Sequence, residues 1–337
     1  AGDATSLTME AGLAIVTING RSVASLSAEL RDCKEVCMAA VSQHGPSLEF
    51  VSESMRDNRE VVKAAVTQDQ ESINKNTKGS FQFASLALKS EESFVIEAVC
   101  CSSHVLKYVA PELQKNESVV KAAVSTNKGV ALEYAAEHLR DDKAIVLAAV
   151  GCHGYALRYA STRLKNDPEI VSLSVHNDAY ALQFASDELK SDKTIVSAAV
   201  AQAFQALNYA SDSVKGDRDV VLAAVQQNGR ALQLAPAGLR GDPEIVLAAL
   251  KHCAFAFKFA DSSLQADVAF LGRAVALNAD VLQYVRDEAV RSQLTAGGSN
   301  TEGRSEGGQS RGHGHAGSST GPERNSSRGD YRPNPYR

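Results

Sequence analysis

The side chains most able to do chemistry in this chain are its histidines and cysteines, which supply proton carriers, nucleophiles and metal ligands. Cys152 and His153 are adjacent, and this pairing suggests a thiol activated by an imidazole. On a helix, however, consecutive side chains point about 100° apart and do not face each other. The pair therefore predicts no catalytic relay.

A metal site is the second possibility that these residues raise. Cys33 and Cys37 lie four residues apart on one helical face, which is half of a tetrahedral site, but no second Cys or His pair lies nearby to complete it. His44 and His153 occupy equivalent positions in different repeats and cannot converge on one ion. We expect no metal and no cofactor, and we expect all six cysteines to pack as small apolar side chains.

The chain also lacks the motifs that carry most enzyme chemistry. It has no glycine-rich phosphate loop, no Gly-x-Ser-x-Gly and no His-Glu-x-x-His. Its aspartates and glutamates recur at fixed intervals, as helix caps do. The sequence therefore predicts a protein that is not an enzyme and has no catalytic residues.

The elements that position all these side chains follow from an internal repeat. Residues 142–150, Asp-Lys-Ala-Ile-Val-Leu-Ala-Ala-Val, return with small changes at 217–225 and 242–250. The first residue of each unit serves as an anchor, and anchors are 25 residues apart, except for 33 after the second and 26 after the fourth. They are Cys33, Asn58, Glu91, Asn116, Asp142, Asp167, Asp192, Asp217, Asp242 and Asp267.

The anchor predicts the start of a helix, because Asp and Asn side chains accept hydrogen bonds from the first free N–H groups. Pro168 and Pro243 follow two anchors directly, at the helical position that tolerates proline. An apolar run, Val-Val-x-Ala-Ala-Val, comes next. Gly45, Gly154 and Gly229 fall where this first helix ends, which predicts glycine C-caps.

A second segment, Ala-Leu-x-aromatic-Ala, completes each unit and is short enough to be partly 3₁₀. Ser161, Ser186 and Ser211 are placed to start a further short turn. A unit of this size cannot bury its own apolar face, so neighbouring units must stack. We predict an all-α, right-handed-type helical-repeat solenoid of about ten 25-residue two-helix units.

The pattern Asp-x-x-Ile/Val-Val-x-Ala-Ala-Val, followed by Ala-Leu-x-Tyr/Phe-Ala-Ser, resembles the protist-type repeats catalogued as domain of unknown function family 4116. The resemblance covers about residues 33 to 290 and is most specific from Asn116 to Ala260. It implies a tandem helical array with no assigned chemistry. The first units depart from the pattern, since Cys33 replaces Asp and an insertion precedes Glu91.

The two ends differ from the solenoid, which we assign to residues 32–294. Residues 1–31 form an N-terminal cap, in which Asn19-Gly20 between apolar runs predicts a β-hairpin over residues 14–26. A degenerate repeat is the alternative for this segment. The polar insertion Gln68–Lys78 predicts an exposed loop. Residues 295–337, rich in Gly, Ser and Arg, predict a disordered tail.

Two columns of side chains run the length of the predicted stack. The aromatic column is Phe50, Phe83, Tyr108, Tyr134, Tyr159, Phe184, Tyr209, Phe259 and Tyr284, with Leu234 as its exception, and it predicts a core ladder between units. Beside it, one position is polar in every unit and varies in charge, so it must be solvated. This polar ridge is the candidate partner-binding site: Glu49, Gln82, Lys107, Glu133, Arg158, Gln183, Asn208, Gln233, Lys258 and Gln283.

The charge balance favours protein partners over nucleic acid. The tail carries six Arg against four acidic residues, which leaves a charge of −7 on the rest of a chain whose total is −5. Nucleic-acid binding depends on clustered Lys and Arg. We predict a non-catalytic protein-binding scaffold or a structural subunit of a larger assembly. The alternative is an RNA-binding helical repeat that uses the ridge and the Arg-Gly tail.

Few features of the sequence bear on location. No run of apolar residues is long enough for a transmembrane helix. The sparse, irregular cysteines favour an intracellular reducing compartment. The first residues, Ala1-Gly2-Asp3, are also consistent with a cleaved organelle leader.

Overall fold

The computed structural model describes residues 8–71, 79–125 and 130–298. In this part of the chain every regular element is an α-helix or a 3₁₀-helix, so the all-α prediction is confirmed. The repeats belong to one compact body, which ends at residue 294. None of the described helices is long and apolar enough to span a membrane.

The described residues contain eleven repeats, and each consists of a first helix, a 3₁₀ segment and, in all but the last, a short closing turn. We number the repeats 1 to 11 from their anchor residues: Thr8, Cys33, Asn58, Glu91, Asn116, Asp142, Asp167, Asp192, Asp217, Asp242 and Asp267. The first helices are Met9–Ile18, Lys34–Gln43, Arg59–Glu71, Glu92–Cys101, Glu117–Ser125, Lys143–Cys152, Pro168–Asn177, Lys193–Gln202, Arg218–Gln227, Pro243–Leu250 and Val268–Leu277.

Asp anchors cap the first helices as predicted. The Asp142 carboxylate accepts a hydrogen bond from the Ile145 N–H at 2.9 Å, and the aspartate anchors of repeats 7 to 11 accept in the same way. Cys33 and Glu91 stand at the same position and make no side-chain cap. The asparagine anchors also cap their helices, since Asn58 Oδ1 accepts from the Val61 N–H at 3.2 Å and Asn116 Oδ1 from the Val119 N–H at 3.1 Å. The capping prediction therefore holds at every predicted anchor that is Asp or Asn.

The second segment of each repeat is a 3₁₀-helix in every repeat that the structure describes. These segments are Gly20–Ser25, Gly45–Glu49, Ser80–Phe83, Ser103–Lys107, Val130–Tyr134, Gly154–Tyr159, Ala179–Phe184, Phe204–Tyr209, Gly229–Leu234, Ala254–Phe259 and Ala279–Tyr284. The 3₁₀ prediction is therefore confirmed, and the repeat has less α-helix than a two-helix unit implies.

A closing turn follows and ends one or two residues before the next anchor. The closing turns are Ala28–Arg31, Glu53–Arg56, Leu86–Ser90, Leu113–Lys115, Glu137–Arg140, Leu164–Asn166, Leu189–Ser191, Asp212–Lys215, Ala237–Arg240 and Ser262–Ala266. A terminal helix, Glu288–Gly298, follows repeat 11 and passes the predicted start of the tail at residue 295. The rest of that predicted tail, residues 299–337, lies outside the described residues.

The core runs through the stack without a break. Four positions of each regular first helix are fully buried, as Ile145, Val146, Ala149 and Val150 show in repeat 6. Each first helix packs against the first helix of the next repeat. Because every repeat covers its neighbour, stability resides in the interfaces between repeats. The repeat-stack prediction is confirmed, and its handedness stays a prediction.

Three lines of polar contacts join consecutive repeats. At the closing turns, a backbone N–H bonds to a carbonyl of the preceding repeat, as from Ser161 to Arg140 and from Ser186 to Lys165, both at 2.9 Å. At the helix ends, the Asn177 amide donates to the Val150 carbonyl at 2.9 Å. At the helix starts, Lys and Arg side chains pair with acids of the next repeat. In repeat 9 the closing-turn donor position is Pro236, which has no N–H.

The prediction of an N-terminal β-hairpin is wrong, and the alternative prediction, a degenerate repeat, is confirmed. Residues 9–18 form an α-helix and residues 20–25 a 3₁₀-helix. Asn19 caps the second of these, since its Oδ1 accepts from the Arg21 N–H at 3.1 Å. Gly20 is buried against repeat 2, and a Cβ there would lie 2.3 Å from the Ala40 carbonyl oxygen, so only glycine fits. Asn-Gly therefore serves capping and close approach here, not a hairpin turn.

The glycine C-caps are also wrong. The residue before each glycine is already extended and lies between the helix and the 3₁₀ segment. Gly45, Gly154 and Gly229 therefore begin the 3₁₀ segments. A Cβ on Gly154 would lie 2.2 Å from the Ser174 carbonyl oxygen of the next repeat. These glycines are needed because the backbones of two repeats meet there, and not for a left-handed turn.

The insertion in repeat 3 is partly helical, contrary to the predicted loop. Residues 68–71 extend the first helix Arg59–Glu71, and residues 72–78 lie outside the described part of the chain. The Asp69 carboxylate accepts bonds from Ser80 N at 2.6 Å and from Ser80 Oγ at 2.7 Å. Asp69 therefore caps the 3₁₀ segment across the insertion. Burial raises the pKa of this carboxyl above its usual value, against the opposing effect of the Ser80 bonds.

Candidate partner-binding surface

The polar ridge lies on the 3₁₀ segments or immediately beside them. In each repeat the ridge residue is the last or next-to-last residue of the 3₁₀ segment, or lies directly beside it. A 3₁₀-helix turns every three residues, so the Ala-Leu pair before the ridge points into the core while the ridge residue points out. In repeat 6, Ala156 and Leu157 are buried and Arg158 is exposed.

Most of the ridge side chains are solvated, as predicted, but the Nε2 atom of Gln82 is buried. Gln82 and Gln183 are half-buried, and the other eight are exposed: Glu49, Lys107, Glu133, Arg158, Asn208, Gln233, Lys258 and Gln283. Three are basic and two are acidic, so the ridge alternates in sign and has no strong net charge. Neighbouring 3₁₀ segments pack together along most of the stack, which places consecutive ridge residues side by side.

The aromatic column is less buried than predicted. Its side chains are half-buried against the core cluster, and Phe50 is 37% exposed. Each ring therefore packs one face on the core and leaves the other accessible beside the ridge. Sequence reasoning missed this exposure because an aromatic residue at a regular apolar position reads as core.

Two clusters show how ridge cations and aromatic rings combine. In repeat 6, the Arg158 guanidinium donates to Tyr155 Oη at 3.0 Å and lies 5.7 Å from the Tyr159 ring centre. Tyr155 in turn meets Phe184 of repeat 7 edge to face, with ring centres 4.8 Å apart. The electron-rich faces of aromatic rings attract cations, so Arg158 is held over an aromatic platform.

The second cluster joins repeats 9, 10 and 11. Lys258 Nζ lies 4.9 Å from the Phe255 ring centre and 5.1 Å from that of Tyr284. The Arg230 guanidinium lies 5.6 Å from the Phe255 ring centre. Two cations thus contact one aromatic ring.

Electrostatics along the ridge are coupled between repeats. Burial, followed by the negative charge of Glu133 in the preceding repeat, raises the pKa of Tyr159 to about 12. The same two causes raise the pKa of Tyr134. These hydroxyls therefore stay protonated at neutral pH and can donate hydrogen bonds on the surface.

A second polar column, which the sequence analysis missed, lies on the closing turns. We call it the closing-turn column, and all its members are half-buried: Arg31, Arg56, Lys89, Gln114, Arg140, Lys165, Lys190, Lys215, Arg240 and Gln265. Some bond to the 3₁₀ carbonyls of their own repeat, as Gln114 Nε2 does to Leu106 O at 3.1 Å. The periodicity of basic residues before each anchor could have revealed the column.

The residues first considered for catalysis are spread through the stack. His44 and His153 sit at the ends of first helices in different repeats, as predicted. Cys37 is buried and its pKa is raised to about 12, but Cys100 and Cys152 are exposed, so packing as small apolar side chains is wrong for these two. In the described residues no three His, Cys, Asp or Glu side chains group in a way that could hold a metal ion.

The repeats match a known family. The model described as Domain of unknown function (DUF4116) matches residues 13–56, 33–89, 58–114, 91–140, 116–165, 142–190, 167–212, 192–240 and 242–288. The chain belongs to the DUF4116 family. No curated protein and no solved structure matches the chain.

The DUF4116 matches agree with the structural repeat. Eight of the nine begin at a predicted anchor, and most of them span about two repeats. The match that begins at residue 13 includes part of repeat 1, where the hairpin was expected. The family model therefore describes the stacking unit.

Proposed function

We propose that this DUF4116 protein is a non-catalytic scaffold that binds an extended segment of a protein partner along the polar ridge and the aromatic column. The observation that carries the proposal is the pairing of exposed, variable polar side chains with half-exposed rings in one repeat after another. Interfaces between proteins are enriched in Tyr, Phe and Arg, which occupy the centre of the contact.

The ridge chemistry suits a peptide. Five ridge positions are amides: Gln82, Gln183, Asn208, Gln233 and Gln283. An amide side chain carries both a donor and an acceptor, as a peptide group does. Extended segments, including polyproline stretches, bind to grooves lined with aromatic residues. Mixed ridge charges then select among partner sequences.

The other polar edges of the stack support the same choice. The cations at the helix starts are paired with acids of the next repeat, as Lys143 is with Asp167 at 2.8 Å and with Glu169 at 2.7 Å. Amides at the helix ends are bonded to carbonyls. Those groups already hold the stack together, and the ridge adds exposed groups beyond them.

The test is capture of partners from native extract by the full chain, with and without nuclease. A ridge variant, Lys107→Glu with Lys258→Glu, reverses two exposed cations that lie over aromatic rings. A matched control, Lys251→Glu with Arg286→Glu, makes the same charge change at exposed positions off the ridge. We expect the ridge variant to lose nuclease-resistant partners that the control retains.

Two results would contradict the proposal. Equal capture by the ridge variant and the control would place the contact elsewhere on the chain. Loss of all partners on nuclease treatment would instead favour the RNA-binding alternative, in which bases stack on the rings and the cations contact phosphates. This alternative assigns RNA contacts to two places, the clusters of aromatic rings and cations around Arg158 and around Lys258.

A further inference from the structure

Repeat 11 is the one described repeat without a closing turn, and the residues of that turn are missing from the sequence. Asp287 caps the terminal helix as an anchor does, because its carboxylate accepts bonds from the Ala289 N–H at 2.9 Å and the Val290 N–H at 3.1 Å. It follows the anchor Asp267 by 20 residues, whereas the repeats from Asp142 onward are 25 residues long. Repeat 11 is therefore shorter by the length of a closing turn.

A groove lies at the place where this turn is missing. It has a volume of about 230 Å³, and its floor is formed by three buried core residues, Phe257, Leu271 and Val285. Its walls are the closing turn of repeat 10 and the start of the terminal helix, which contributes Val290. Pockets for small molecules are larger, about 300–1,000 Å³, so this groove suits a single aliphatic side chain.

The closing turns of repeats 1 to 10 show which side chain fills this place in a complete repeat. Each has one apolar residue three positions after the residue that opens the turn, and these apolar side chains belong to the core or pack against it. They are Leu30, Met55, Leu88, Leu113, Leu139, Leu164, Leu189, Val214, Leu239 and Leu264. Leucine is therefore the usual occupant of the place that is open in repeat 11.

The surroundings of that leucine recur around the groove. In repeat 7, the positions equivalent to Leu271, Val285 and Val290 are Val171, Ala185 and Ile195, and all three are buried. The closing turn of repeat 7, which carries Leu189, packs on the first helix of repeat 8. In repeat 11 the terminal helix stands where that first helix would be, but no turn lies between it and repeat 10. The groove therefore continues the interface that the other repeats make.

The residue that opens a closing turn defines the rest of the missing element. Serine is the commonest choice, at Ser27, Ser52, Ser85, Ser161, Ser186 and Ser211. Its hydroxyl accepts from the N–H of the apolar residue, as Ser161 Oγ does from Leu164 at 3.2 Å. Its own N–H donates to a carbonyl of the preceding repeat. The equivalent residue of repeat 11, Arg286, makes no such bond to the carbonyl of Gln265, a residue that lines the groove.

We propose that this groove binds a Ser-x-x-Leu turn of a protein partner, which completes repeat 11 from outside the chain. The leucine fills the apolar floor, and the serine N–H donates to the Gln265 carbonyl, as the closing turns do in other repeats. Residues 299–337 contain no Leu, Ile, Val or Met and so cannot supply the turn. The inference rests on the proposed function, since it assumes a protein partner, and it adds a contact away from the ridge.

The test uses a fluorescently labelled peptide with the sequence of residues 161–166, Ser-Thr-Arg-Leu-Lys-Asn, and a counterpart with Gln in place of Leu. Anisotropy is measured while the full chain is titrated into each peptide. We expect saturable binding of the Leu peptide and an affinity at least about tenfold lower for the Gln peptide, because burial of a leucine side chain contributes an effect of this size.

A graft fills the groove from within the chain. Replacing Arg286 by Ser-Thr-Arg-Leu-Lys-Asn adds five residues, so the spacing between Asp267 and the next cap becomes 25, as in the regular repeats. The graft should raise the melting temperature, because it completes an interface between repeats, and it should abolish binding of the Leu peptide. The same graft with Gln in place of its Leu should raise the melting temperature less.

A point variant tests the groove without lengthening the chain. Ala266 is exposed and lines the groove, so Ala266→Gln places a longer side chain at its mouth and should weaken binding of the Leu peptide. Ala237→Gln is the matched control, since it makes the same change at an exposed position on the closing turn of repeat 9. It should leave peptide binding within about twofold.

Several outcomes would overturn the assignment. Equal affinities for the two peptides, no binding of either, or unchanged binding by a folded graft would each show that the groove does not take up this turn. If the graft does not fold, equal binding by Ala266→Gln and Ala237→Gln has the same meaning. Self-association of the full chain in analytical ultracentrifugation, abolished by the graft, would make a second copy the occupant instead of a partner.

Failure of this inference can be told apart from failure of the proposed function. If the ridge variant loses its captured partners while the graft keeps them, the groove assignment fails and the scaffold function stands. If the graft loses partners that the ridge variant keeps, the groove is the site of contact and the ridge is not.

Discussion

The interface between repeats has two rims, and they are built differently. At the 3₁₀ rim, backbones of neighbouring repeats approach closely at glycines, and the closing turns that follow the 3₁₀ segments are joined by backbone hydrogen bonds along the stack. At the rim formed by the helix starts, contact depends on exposed ion pairs such as Lys193 with Asp217 and Asp219, each at 2.9 Å. Repeats 7 and 10 have Pro168 and Pro243 at the cation position.

The difference teaches where stability and variation lie. Where a glycine makes the close contact, as Gly154 does, there is no room for a side chain, since interiors are packed as densely as crystals. Other repeats have a larger residue at the same position, such as Ala179 or Phe204. Exposed ion pairs contribute about 0–1 kcal/mol each and can be lost without harm. The 3₁₀ rim therefore fixes the geometry of the stack and positions the ridge, whereas the helix-start rim is free to vary.

The largest effect is expected from Gly154→Val. Its Cβ would lie 2.2 Å from the Ser174 carbonyl oxygen, a backbone atom that cannot move alone. Overpacking of this kind costs about 3 kcal/mol, and the urea midpoint of the helical signal should fall accordingly. Gly238→Ala is the control, since no atom lies within 4 Å of an added Cβ there. A normal midpoint for Gly154→Val would show that the repeats can separate at this rim.

Ser161→Ala should have the next largest effect. Its Oγ accepts from the Leu164 N–H at 3.2 Å and also bonds to Asp141 of the preceding repeat. Loss of a helix cap costs about 1 kcal/mol, measurable by urea unfolding. Ser211→Ala provides the comparison, because Ser211 stands at the same position and makes no side-chain cap. Equal losses in both variants would contradict the role assigned to the Ser161 hydroxyl.

Asp69→Asn should change how stability depends on pH more than it changes the free energy of unfolding at neutral pH. Because burial raises the folded-state pKa of Asp69, the folded state binds the proton more tightly than the unfolded chain does. The wild type should therefore lose stability as pH rises from the pKa of this carboxyl in the unfolded chain, about 3.9, through its raised pKa in the folded state. Asn keeps an acceptor for Ser80 but cannot titrate, so thermal melts should lack this loss. An unchanged pH profile would exclude the buried carboxyl as its source.

The smallest effect on stability is expected from Lys193→Ala at the helix-start rim. The bond from Lys193 and those from the helix N–H groups hold the pKa of Asp217 below its usual value. The variant should raise this pKa in a carboxyl NMR titration while moving the melting temperature less than Ser161→Ala does. Stability from Asp217 is present above the unfolded pKa and lost as pH falls through the folded one. A fall in melting temperature as large as that of Gly154→Val would reverse the ranking of the two rims.

Sequence periodicity predicted the stack because the anchors repeat a chemical requirement, the capping of a helix, at a fixed interval. Repeat 1 escaped because Thr8 stands in place of Asp and because Asn19-Gly20 has two physical meanings, a hairpin turn or a cap followed by a close contact. Only the position of Ala40 in the next repeat decides between them. The role of Gly154 was misread for the same reason.

The candidate surface was predictable in part. A position that is polar in every repeat must be solvated, which located the ridge. The ion pair between Asp141 and Arg163 could not be predicted, because it joins residues from two repeats. Half-exposure of the rings likewise depends on how the 3₁₀ segments pack against the core, which the alternation of residue types does not encode.

Pro236 gives the stack a place to yield under load. Each closing turn that donates a backbone bond shares tension with the repeat before it, but Pro236 has no N–H to donate. When the molecule is pulled at both ends, the junction of repeats 8 and 9 is expected to extend early. Each repeat is stabilised by its immediate neighbours. The repeats on either side of this junction are therefore expected to stay folded while the junction itself extends.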